Sequence, residues 1–147
     1  MKHQNKVLLI SILVVGCSSS SDSVTALKNW DNKYEMCFMS QSDNPKFPDN
    51  VWFKSLSIED QKAVIGYLYN YNSRNCIKDE AEALKLALIR DENESLLHLF
   101  QEDLSPLEEA VLEAVNHLDQ AELMKLQKDF SRPFNLSKLV DDLNLYN

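Results

Sequence analysis

The sequence predicts an all-α fold: a compact, irregular array of five to seven short helices carrying one disulfide. Three observations lead there. Glycine occurs only twice in 147 residues, at Gly16 and Gly66, whereas hairpins and tight βα turns lean on glycine for positive φ. Apolar residues recur at steps of three and four along most of the chain, the spacing of a one-sided helix. Ser and Asp residues stand ahead of several of these runs, where a side-chain oxygen can cap a helix N-terminus. The same shortage of glycine excludes a G-x-G-x-x-G dinucleotide loop and a P-loop.

Taken in order, Val24, Leu27, Trp30, Tyr34, Cys37 and Phe38 place a stripe on a first helix running to about Met39. Turn residues from Ser40 to Pro48 end it. Asp49 is positioned to cap a brief turn holding Trp52, Phe53 and Leu56. Ser57, with Asp60 at the third helical position, opens a helix carrying Ile58, Val64, Ile65, Leu68 and Tyr71. The polar stretch from Asn72 to Asn75 is expected to stop it. A further helix, Lys78 to Arg90, is built from strong helix formers. Asp91 to Glu94 interrupts, and Ser95 to Glu102 forms a short segment with Leu96, Leu97, Leu99 and Phe100.

Ser105, Pro106 and Glu108 stand in the cap, first and third positions of another helix. Asp119 and Glu122 repeat the signal before Leu123, Leu126 and Phe130. Arg132-Pro133 breaks the chain, and Leu136, Leu139, Val140 and Leu143 mark a last amphipathic helix. Helices of eight to sixteen residues, as expected here, are marginal in isolation, so tertiary packing must hold them.

The N-terminus reads as an address. Lys2, His3 and Lys6 precede an apolar run from Val7 to Val15, far short of the ~20 residues that span a bilayer. Leu13-Val14-Val15-Gly16-Cys17 resembles the lipobox of bacterial lipoproteins. The resemblance implies that the chain is cut before Cys17, whose thiol and new amino group become acylated. Ser18 after the cysteine resembles the class sent to the outer membrane. Three regions are expected: a signal peptide at 1–16, a lipidated cysteine and flexible tether at 17–23, and one helical domain at 24–147. Removing residues 1–16 deletes Lys2 and Lys6 and no acid, so the net charge moves from −8 to −10. So acidic a surface is a poor partner for nucleic acid.

With Cys17 assigned to lipid, Cys37 and Cys76 remain. An even pair in an exported chain reads as a disulfide, and closing a loop of about 40 residues is worth roughly 4 kcal/mol on the chain-entropy model. Two buried free thiols or a redox pair are the alternatives, although the C-x-x-C spacing of redox motifs is absent.

Little else carries chemistry. His98 has Glu94 and Glu102 at i−4 and i+4, and His117 has Glu113 at i−4, a pattern of helix-surface ion pairing rather than a metal site. No nucleophile elbow, metal motif or cofactor loop is present in the sequence, so neither enzyme activity, cofactor nor metal is expected. Nine of the thirteen aromatic residues fall between positions 30 and 71. Tyr67, Tyr69 and Tyr71 cannot share one helix face, because residues two apart point about 200° apart. At least one is therefore expected to be exposed or to line a groove. Trp52, Phe53, Tyr67, Tyr69 and Tyr71 are the candidate partner-binding residues; core filling is the simpler role for such rings. Acids at 79, 80, 82, 91, 92, 94, 108, 109 and 113 read as a solvated face, the commoner role of such runs, or as a docking site for a basic partner.

An acylated, disulfide-stapled helical domain facing the periplasm resembles, in architecture only, the pilot lipoproteins of secretion systems. That resemblance implies a non-enzymatic accessory or assembly factor binding another envelope protein. The alternative is an acidic inhibitor or immunity lipoprotein that occludes a basic toxin or hydrolase. Replacing Cys17→Ser is expected to abolish metabolic labelling with palmitate and to detach the protein from outer-membrane fractions. Label retained in that variant contradicts the lipobox reading.

Overall fold

The computed structural model describes residues 22–42, 44–105 and 112–146. The expected signal peptide, Cys17, tether residues 18–21 and the helix start at Pro106 to Glu108 lie outside the described residues. Among those described there are six α-helices: α1 (Asp22–Met39), α2 (Val51–Ser55), α3 (Ile58–Arg90), α4 (Glu94–Leu99), α5 (Gln120–Asp129) and α6 (Leu136–Asp142). A 3-10 turn, Leu112–Ala114, precedes α5. No strand occurs among these residues, only an isolated parallel bridge between Ser42 and Phe134. The fold is all-α.

One expectation is corrected by α3. The sequence suggests two helices parted at Asn72 to Asn75, yet 33 residues form a single helix, about 50 Å long. The stretch contains neither glycine nor proline, so nothing in it stops a helix. Its polar side chains serve tertiary contacts instead of solvent. Asn72 is fully buried, and its amide nitrogen donates to the carbonyls of Phe130, at 2.8 Å, and Arg132, at 3.2 Å. Arg74 reaches across to Ser105.

The apolar pattern looks broken because it changes sides. Val64, Ile65 and Leu68 belong to one buried cluster, while Ile77, Ala81, Leu84 and Leu88 belong to another. Leu68 and Ile77 are nine residues apart, about two and a half turns, so the two stripes lie on opposite faces. The first cluster gathers Phe53, Val115, Leu123, Leu126, Phe134, Leu139 and Leu145 around the N-terminal half of α3. The second sets Trp30 and Cys37 of α1 and Leu104 against the C-terminal half.

α1 lies antiparallel along that second half, tied at both ends and between. Asp22 pairs with Arg90 at 3.2 Å, and the Ser23 N–H donates to Asp91 Oδ2 at 2.9 Å. Lys33 meets Glu80 at 4.0 Å. The Cys37–Cys76 disulfide closes the other end, with Cα atoms 6.1 Å apart. Asp22 and Ser23, assigned above to the tether, are helical and belong to α1.

Helix ends follow side-chain chemistry closely. Asn50, Ser57, Asn93, Asp119 and Asn135 each accept an N–H from two or three residues ahead, the capping geometry. Asn50, not Asp49, caps α2, and Asp49 pairs with Lys54 instead. Asn93 starts α4 one residue early, and α4 stops at Leu99, short of the expected Glu102. Two helices end with a left-handed residue in a non-glycine chain: Glu92 (φ 52°) after α3 and Asn144 (φ 54°) after α6. In both, the next N–H bonds back to the carbonyl five residues earlier, Asn93 to Leu88 and Leu145 to Val140, which is the Schellman closure. Glycine is dispensable here because this closure repays the modest strain of a left-handed L-residue.

Cys37→Ser and Cys76→Ser are each expected to cost about 2–4 kcal/mol in denaturant unfolding, with the double variant losing no more than either single one. Additive losses contradict a shared bond.

Candidate functional site

The face of α3 that carries the second core continues past the point where α1 leaves it. After Met39 the chain turns away, and Ser42 joins the Pro133–Asn135 segment through two backbone hydrogen bonds. Between these elements lies a groove of about 550 Å³. α1 contributes Tyr34, Cys37 and Phe38; α3 contributes Tyr69, Asn70, Ser73, Arg74 and Ile77. Glu102, Asp103, Ser105 and Pro133 complete the lining. One sulfur of the disulfide therefore belongs to a groove-lining residue, and the bond fixes two of its sides relative to each other.

The groove carries an exposed apolar lip. Tyr34 and Phe38, one helical turn apart on α1, line the groove and are 49% and 59% exposed; Met36 and Met39, on other sides of the same turns, are 65% and 83% exposed. Trp30 supports this lip from the core side, with its ring centroid 5.7 Å from that of Tyr34 and 5.2 Å from that of Phe100. Large apolar side chains so exposed, clustered around a concavity, mark an interaction surface more often than a solvated one. Across the groove, the Arg74 guanidinium donates through Nη2 to the carbonyl and hydroxyl oxygens of Ser105. Its Nε is buried without a hydrogen-bond partner among the described residues. Glu102 and Asp103 supply negative charge to the same lining.

Of the five aromatic candidates read from the sequence, only Tyr69 reaches this groove. Phe53 is buried in the first core, and half-buried Trp52 packs against the same cluster. Tyr67 is buried, its hydroxyl donates to Gln127 Oε1, and its ring stacks on Tyr71 at 6.1 Å. Tyr69 meets Phe134 edge-on at 5.7 Å while lining the groove. Residues 67 and 71 share a face and residue 69 stands on another, as the helical period requires.

Tyr34 and Phe38 were not singled out from the sequence, where they read as part of the α1 core stripe. A signal was present. Tyr34, Met36, Cys37, Phe38 and Met39 wrap all around the last turns of α1, more than any single buried face can cover.

The histidines behave differently from the i±4 expectation. His98 is exposed on α4, while His117 pairs with Asp60 at 2.8 Å, across to the first turn of α3. Among the described residues no group of three or more His, Cys, Asp or Glu side chains converges as a metal site. Hydrogen bonds from His117 and Ser57 hold the Asp60 carboxyl below the usual carboxylate range, and Ser23 does the same for Asp91. Asp60 titrates lower folded than unfolded, so its contribution is present at neutral pH and is lost as pH falls through the folded value, below about pH 4. Asp60→Asn is expected to flatten the acid limb of thermal stability measured from pH 5 down to pH 2. An unchanged acid limb contradicts the pairing.

The site is thus a groove with an apolar lip, one cation and two carboxylates among its lining residues. Compared with family models, curated proteins and solved structures, the chain matches none.

Proposed function

We propose that this chain is a lipid-anchored envelope lipoprotein, attached through Cys17 to the periplasmic face of the outer membrane, and that it acts without catalysis by holding a segment of another envelope protein. The observation that carries the reading is the pair Tyr34 and Phe38, exposed on α1 at the lip of a groove that the Cys37–Cys76 bond keeps open. The occupant is an amphipathic segment. Its apolar side chains sit on Tyr34, Phe38 and Tyr69, and a basic flank faces Glu102 and Asp103. The acidic excess of the mature chain favours such a partner and steers its approach.

The reading as an acidic occluder of a basic toxin has less support. Asp79 and Glu82 of α3, with Asp103 beside them, are interleaved with Arg74, Lys78 and Lys85, so that face does not present a field of one sign.

A photocrosslinking amino acid in place of Tyr34 is expected to give one discrete adduct in intact cells, whereas the same group at exposed Met124 of α5 gives none. The crosslinked segment, mapped by mass spectrometry, is expected to be apolar with adjacent Lys or Arg. Phe38→Asp should lower the adduct yield roughly tenfold or more, the scale of an interface anchor. Equal adducts from positions 34 and 124, or a yield indifferent to Phe38→Asp, contradict the groove.

A further inference from the structure

We infer that Arg74 selects the segment held in the groove, by pairing with the side-chain carboxylate of an Asp or Glu set among that segment's apolar residues. The inference deepens the reading proposed above and rests on it. Its basis is a charge without a counterion. Lys33, Lys54, Arg90 and Lys125 each meet a carboxylate, whereas Arg74 forms no ion pair among the described residues. Glu102 and Asp103 line the same groove, and neither of them joins an ion pair within the described residues.

The Arg74 side chain is committed to another contact. Its Nη2 donates to the carbonyl and hydroxyl oxygens of Ser105, which fixes the guanidinium in place. Its Nε is buried without a hydrogen-bond partner among the described residues. Nη1 is left, neither hydrogen-bonded nor buried, as the nitrogen a ligand can reach. A half-buried guanidinium with no counterion has lost hydration without replacement. A carboxylate supplies that replacement as a charge-assisted hydrogen bond.

A carboxylate can belong to a side chain or to a chain end, and the surroundings favour the side chain. Arg74, Asp103 and Ser105 also line a second cavity, of about 640 Å³. Leu86 and Ile89 contribute to it and are 59% and 53% exposed. A segment that meets Arg74 therefore has room to continue past it and apolar surface to cover there. In the other direction, Tyr69 lies five residues before Arg74 on α3, about 7.5 Å along the axis. That distance is about two residues of extended chain or five of helix. The acid accordingly lies within about five residues of the apolar side chain seated on Tyr69. Arg74 on one side, and Glu102 and Asp103 on the other, then read the order of charges along the segment.

The test pans the full-length acylated protein, in detergent micelles, against two displayed libraries of random peptides. One library fuses each peptide to its carrier through the peptide C-terminus, and the other leaves that terminus free. The fused library is expected to yield binders that share an Asp or Glu close to large apolar residues. Changing that acid to Asn or Gln in the peptide is expected to weaken binding to the wild-type protein roughly tenfold. The same change is expected to have no effect on binding to Arg74→Gln, a coupling that a purely structural role for Arg74 does not produce. Binders weakened by Phe38→Asp but showing no shared acid, or an acid whose loss costs as much in Arg74→Gln, overturn the role of Arg74 and leave the groove standing. Binders found only with a free C-terminus overturn the side-chain assignment. Binders indifferent to Phe38→Asp, or no binders from either library, overturn the groove and this inference with it.

Discussion

A single constraint organises this protein: one unbroken helix serves two hydrophobic cores on opposite faces. Val64, Ile65 and Leu68 bury one side of α3, and Ile77, Leu84 and Leu88 bury the other two and a half turns later. Neither core suffices alone, because the short helices α2, α5 and α6 would be marginal in water without α3 as a backing. The first half of α3 collects α2, the 3-10 turn, α5 and α6, and the second half collects α1 and α4. The crossover is marked by Asn72, buried in order to bind the carbonyls of Phe130 and Arg132 where the chain breaks between α5 and α6. The Asn72 amide nitrogen satisfies carbonyls that, past the helix end, have no intrahelical N–H, while its Oδ1 is buried without a partner among the described residues.

The groove follows from the same constraint. α3 presents its second face over most of its length, but α1 ends at Met39 and covers only the C-terminal part. The uncovered stretch, from Tyr69 to Arg74, becomes the inner side of a cleft whose lip is the overhanging end of α1. The disulfide stands at that boundary and holds the lip against α3. Its structural role and its place at the site coincide, since Cys37 is both buried against α3 and part of the groove lining.

The aromatic residues show how the site was partly visible beforehand. The crowding of rings between positions 30 and 71 was evident in the sequence, and so was the impossibility of burying Tyr67, Tyr69 and Tyr71 on one face. Which ring would face out was not, because that depends on where Gln127 and Phe134 arrive from 60 or more residues away. Trp52 and Phe53 read from the sequence as partner-binding candidates on a brief turn. Phe53 instead packs into the first core beside Phe47, with its N–H on the Asn50 cap, and half-buried Trp52 packs against the same cluster.

By itself the sequence determined the helical class, the caps at Ser57 and Asp119, and the expectation that Cys37 and Cys76 pair. The first two rest on local chemistry: scarce glycine, and a capping oxygen beside two or three free N–H groups. The fusion of two expected helices into α3, the burial of Asn72, the pairing of His117 with Asp60 rather than Glu113, and the lip at Tyr34 and Phe38 were decided only in three dimensions. In each case a residue's local spacing fits two environments equally well. The choice between them lies in contacts from distant parts of the chain, whose free energy no local pattern encodes.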